Sequence, residues 1–89
     1  GPFTGSASLN FPSMTTNDEQ TLTVTVTGVT VAGLCTVTLG WSAALEDGIV
    51  VKQAWVSGTN TVSIRVRNVS AGTIDPAAVT CHVACFGML

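Results

Sequence analysis

Period-two alternation recurs along this chain in short runs, each cut off by glycine, proline or an acidic turn. Leu22, Val24 and Val26 alternate with Thr21, Thr23, Thr25 and Thr27; Val62, Ile64 and Val66 alternate with Ser63, Arg65 and Arg67. β-branched residues are stiff at χ1 and pack well on a pleated surface, so such runs read as strands with one dry and one wet face. Further runs cover residues 7–11, closed by Pro12, residues 34–39, stopped by Gly40, residues 49–56 with Lys52 and Trp55, and residues 79–86. Ser57-Gly58-Thr59-Asn60 reads as a hairpin loop, Glu46-Asp47-Gly48 as a turn, and residues 68–78, with Gly72 and Asp75-Pro76, as a longer loop. Only Trp-Ser-Ala-Ala-Leu at 41–45 leans helical, and it is too short for more than one turn. The pattern predicts an all-β chain: a small antiparallel β-sandwich, jelly-roll-like, of six to eight short strands.

The 89 residues make one domain. Gly1-Pro2 resembles the remnant that a site-specific protease leaves on a recombinant chain, so residues 1–6 are expected to be remnant and linker and residues 7–89 the folded unit. A domain this small buries only about 60% of the surface its unfolded chain exposes. Yet 46% of the residues are hydrophobic and only 9% charged, against about 25% charged in an average soluble domain. The surplus apolar surface is expected to lie against copies of the chain or another protein.

The balance of charge excludes several functions. With a net charge of −2 and Lys52, Arg65 and Arg67 as the only cations, the chain lacks the basic cluster that nucleic acid or an anionic membrane surface requires. No apolar run approaches the roughly 20 residues of a spanning helix, and no signal-peptide succession is present.

No catalytic constellation emerges, and an enzyme is not expected. His82 is the only histidine; it shares a strand face with Thr80, Ala84 and Phe86, where packing or an interface is its expected role. No nucleophile-elbow motif occurs, and the acids Asp18, Glu19, Glu46, Asp47 and Asp75 fall in or beside turns, where carboxylates solvate loops or cap amides. Neither acidic pair has the alternating spacing of a calcium loop. Cys81 and Cys85, four apart in a strand, sit about 13 Å apart at roughly 3.3 Å per residue, too far for a disulfide. Cys35 can meet either across strands, but three small buried thiols in a reducing compartment are expected instead. No zinc site, other metal or cofactor is expected.

Four aromatic or charged positions remain as candidates. Trp41 and Trp55 are the candidate ligand-binding pair, a sugar-stacking platform, although a core or interface role is the commoner one for tryptophan. Arg65 and Arg67 are candidate subunit-interface residues, expected to pair with Glu46, Asp47 or Asp75 across loops or subunits.

Several stretches carry a family likeness in their order and spacing. They are Ser8-Leu9-Asn10-Phe11-Pro12-Ser13, Thr21-Leu22-Thr23-Val24-Thr25-Val26-Thr27-Gly28 and Ala44-Leu45-Glu46-Asp47-Gly48. They continue with Trp55-Val56-Ser57-Gly58-Thr59-Asn60-Thr61-Val62, Arg65-Val66-Arg67-Asn68 and Ile74-Asp75-Pro76-Ala77. From about Ser8 to Val83 the chain resembles a small β-sandwich module of bacteriophage virion proteins, found at the end of tail or head fibres or as capsid decoration proteins. It departs in Trp41, where a Gly-Pro-Pro-like loop is expected, and in the apolar tail Cys85-Phe86-Gly87-Met88-Leu89. The resemblance implies a non-enzymatic virion structural module, assembled in the host cytoplasm as a homotrimer with other virion proteins. The first role it implies is the C-terminal domain of a tail or head fibre that can touch a host-surface glycan. The alternatives are a capsid decoration protein or a carbohydrate-binding module. Phe86, Met88 and Leu89 are then candidate contacts at the three-fold axis.

Overall fold

The structure, a computed structural model, describes residues 2–89. It contains six strands: β1 (Phe3–Leu9), β2 (Glu19–Thr25), β3 (Thr36–Trp41), β4 (Ile49–Gly58), β5 (Thr61–Asn68) and β6 (Val79–Phe86). They form two three-stranded antiparallel sheets, β1-β6-β3 and β2-β5-β4, with β6 and β5 in the centres. Among the described residues only β4 and β5 are joined by a tight hairpin, and the other connections cross between the sheets. The sequence pattern thus leads to the small β-sandwich it predicts, elongated to 42 × 22 × 15 Å.

The alternation explains the core. Val79, Cys81, Val83 and Cys85 of β6 face Val62, Ile64 and Val66 of β5, all buried, with Leu9, Val24 and Ile49 from the flanking strands. Phe11, Met14, Val26 and Val29 close the ends of this layer from the connections. At about 25 cal/mol per Å² of apolar area, burying each Val, Ile or Leu side chain contributes roughly 1.5–3 kcal/mol before conformational entropy is set against it.

Three expectations are corrected. Residues 3–6 are not linker: Phe3, Gly5 and Ala7 alternate inward, and β1 pairs with β6 from Phe3↔Cys85 to Leu9↔Val79. The signal was muted because Gly5 and Ala7, two of these three inward residues, are small. Gly5 is required there, since a Cβ at that position would lie 2.1 Å from the carbonyl oxygen of Thr25, which lets β1 close tightly against the β2 side. Gly1 of the expected remnant lies outside the described residues. Residues 41–45 make no helical turn; Trp41 ends β3, and Ser42 prolongs the pairing by accepting the Thr80 N–H at 3.0 Å on its side chain. The single helical turn among the described residues is a 3-10 turn at Val31–Gly33, after which Leu34 adopts a left-handed conformation, φ 54°. That break delays the third strand to Thr36.

The long loop between β5 and β6 is organised by Asn68. Its side chain is fully buried and donates to the carbonyls of Met14 (2.9 Å) and Gly72 (2.8 Å) while accepting from the Ser70 N–H (2.9 Å) and hydroxyl (2.7 Å). Met14 and Ile74 bridge through two backbone bonds alongside it.

Candidate functional site

Three surfaces bring the candidate residues into view. The first is the side of the sandwich where the edge strands β3 and β4 face each other. The opposite side is sealed by the approach of β1 to β2 at Gly5, but here a groove of 320 Å³ remains, lined by Val31, Leu34, Cys35, Val37, Ala54, Trp55 and Val56. Its lining holds no charged residue. Leu34 is 74% exposed at the rim, and Leu89 is 87% exposed beside it, because the Leu89 N–H donates to the Gly33 carbonyl. Phe86 is also exposed, but as the register partner of Thr36 it stands on the outer face of β1-β6-β3. Of the tail residues, Met88 is spent within the chain: its sulfur occupies the space where a Cβ at Gly33 would stand. Phe86 and Leu89 are thus exposed, while Met88 serves the chain's own packing.

The second surface is the outer face of β1-β6-β3, covered by Thr4, Ser6, Ser8, Thr36, Thr38, Gly40, Thr80 and His82. Ser6 Oγ and His82 Nδ1 lie 2.7 Å apart, cross-strand partners at the register pair Ser6↔His82. No side-chain carboxylate is hydrogen-bonded to this pair among the described residues. Beside them, Gly40, Trp41, Ser42, Thr80 and His82 line a shallow cavity of 340 Å³.

The third surface is the outer face of β2-β5-β4, and it holds every cation of the chain. Trp55 of β4 lies under the Arg65 guanidinium, 4.8 Å from ring centroid to the guanidinium carbon. Arg65 Nε donates to Thr21 Oγ1 at 3.2 Å, its register partner on β2. Glu19 accepts from Lys52 at 2.5 Å and from Arg67 at 3.0 Å. The Lys52 hydrogen bond, more than the Arg67 one, holds the Glu19 carboxyl below its ordinary range. The partners expected for the arginines, Glu46, Asp47 and Asp75, are not the ones found. Arg67 and Glu19 are directly opposed across β5 and β2, whereas those three acids lie in loops beyond the strand ends.

Trp41 and Trp55 do not form one platform. They belong to different sheets and border different cavities. Glu19, expected in or beside a turn, is instead the first residue of β2, and Asn68 was missed; extending the two clearest alternations by one step places Glu19 on the wet face of β2 and Asn68 on the dry face of β5.

Burial pushes the Cys81 thiol up to about 11, and burial, followed by the neighbouring Cys35, does the same for Cys85. All three cysteines are free thiols. No group of three or more His, Cys, Asp or Glu stands together as a metal would need among the described residues. No described helix is long and apolar enough to cross a membrane. No family model, curated protein or solved structure matches the chain.

Proposed function

We propose that this protein is a non-catalytic virion structural module that works by assembling into a homotrimer, as the C-terminal domain of a phage tail or head fibre. The observation that carries the assembly is Leu34. A left-handed backbone costs a leucine roughly 1–2 kcal/mol, and here it holds the side chain out at the rim of an apolar, charge-free groove. An isolated domain gains nothing from either feature; a subunit whose β3–β4 side is covered by its neighbours gains from both. The uncovered Val31 and Leu89 extend the same surface. The virion assignment itself rests on the resemblance in motif order, and a capsid decoration protein would use the same surface.

Leu34→Asn tests it. Asparagine tolerates the left-handed region better than leucine, so the variant is expected to fold as stably or about 1 kcal/mol more stably while losing the apolar contact. Sedimentation equilibrium should find wild type trimeric at micromolar concentration and Leu34→Asn shifted towards monomer. A wild-type monomer sinks the proposal.

A second reading, binding of a host-surface glycan, is favoured by the Trp41 cavity, where an indole adjoins Ser42, Thr80 and His82. Binding to immobilised glycans that His82→Ala abolishes would support it; identical binding by the variant would remove this cavity from consideration.

A further inference from the structure

The chain's charges are segregated. Three cations against the single carboxylate of Glu19 leave the outer face of β2-β5-β4 with two excess positive charges, while the other four acids gather in turns and loops at one end. Asp18 caps the Glu19 N–H at 3.0 Å and Glu46 accepts the Ala77 N–H at 2.8 Å, but Asp47 and Asp75 are exposed with no side-chain partner among the described residues. Their loops adjoin, tied by the Glu46–Ala77 bond and by Gly48 packing on Ser70 and Ile74.

Arg65 is the counterpart. Trp55 fixes the plane of its guanidinium and Thr21 takes its Nε, so the two terminal nitrogens are oriented and have no acceptor among the described residues. That is a prepared fork for a carboxylate. Its own chain does not supply one: Glu19 is engaged by Lys52 and Arg67, and Arg65 pairs opposite Gln53, four residues into β4 and so roughly 13 Å along the strand from the turn that carries Asp47.

We propose that the Arg65 fork receives a carboxylate from the Asp47–Asp75 end of a second copy, joining copies end to face. This rests on the assembly proposed above and specifies one of its contacts. The two patches differ, so the contact is heterologous, the type that forms a ring when its rotation closes and that a three-fold assembly needs. Trp55 also borders the apolar groove, which makes the ionic contact continuous with the β3–β4 side and shields it from water.

Sedimentation equilibrium on the whole chain tests this. Arg65→Gln and the pair Asp47→Lys with Asp75→Lys should each weaken association about tenfold, with unchanged far-UV circular dichroism. Arg65→Glu combined with Asp47→Lys and Asp75→Lys should recover most of it. The acid variants lie far from Arg65, so a local effect on the Trp55 stack cannot imitate theirs. Wild-type trimers that Arg65→Gln leaves equally tight would overturn the contact and leave the assembly standing, and so would a charge swap without recovery. A monomeric wild type would overturn both.

Discussion

Asn68→Ala isolates how much of this small sandwich depends on one buried amide. The substitution removes four side-chain hydrogen bonds at once. Their loss is not equal. The Met14 carbonyl belongs to a fully buried residue and loses its second donor while keeping the Ile74 N–H, whereas the Gly72 carbonyl and Ser70 lie near the surface and recover water. Four lost bonds at roughly 0.5–1.5 kcal/mol each, with those near the surface at the low end, come to about 3 kcal/mol. An 89-residue domain is stable by roughly 4–13 kcal/mol, so one side chain accounts for a quarter of that or more. Urea unfolding followed by tryptophan fluorescence should show a lower midpoint at an unchanged slope, and the melting temperature should fall by about 12–24 °C. Asn68→Asp, which keeps the acceptors but loses both donations, should be at least as damaged at pH 7. A change below about 0.5 kcal/mol in Asn68→Ala would refute the view that this amide holds the long loop.

Native-state alkylation at pH 8 should label Cys35 first, and Cys81 and Cys85 only after denaturation, because burial lifts the latter two thiols to about 11; mass spectrometry reads the order. Glu19→Gln should flatten the acid side of the stability profile. The Glu19 carboxyl titrates lower in the folded chain, so its contribution is present above its ordinary pKa and is lost as pH falls through the depressed folded value; a variant with the same acid limb as wild type would contradict this. Gly5→Ala should destabilise by about 2 kcal/mol or more, since its Cβ meets the Thr25 carbonyl oxygen and β1 must move away from β2. Unfolding at the wild-type midpoint would show that the two strands have room to spare.

Much of the architecture was legible because strand geometry repeats every two residues. The alternation at 21–27 and 62–67 marked which side chains face the core, and the turn residues 57–60 marked the one tight hairpin among the described residues. Where alternation used small residues, as at Gly5 and Ala7, the strand was hidden. The candidate surfaces were less legible. Trp41 and Trp55 were both singled out, but which cavity each borders depends on which sheet its strand joins. The arginines were singled out too, yet their partner Glu19 is 48 positions from Arg67 in sequence and becomes a neighbour only through the β2–β5 register.

The sequence by itself determined that this chain is all-β, short of charge and richer in apolar side chains than a small core can hold. Those properties follow from residue type and local spacing, which need no knowledge of what lies across the sandwich. Only the tertiary structure decided which side stays open. That depends on strand order, because β1 closes on β2 at a glycine while β3 and β4, brought to the other side, leave Leu34 and Trp55 at the rim of a groove. It likewise decided that every cation shares one face, since the register of β2, β5 and β4 carries Lys52, Arg65 and Arg67 outward together.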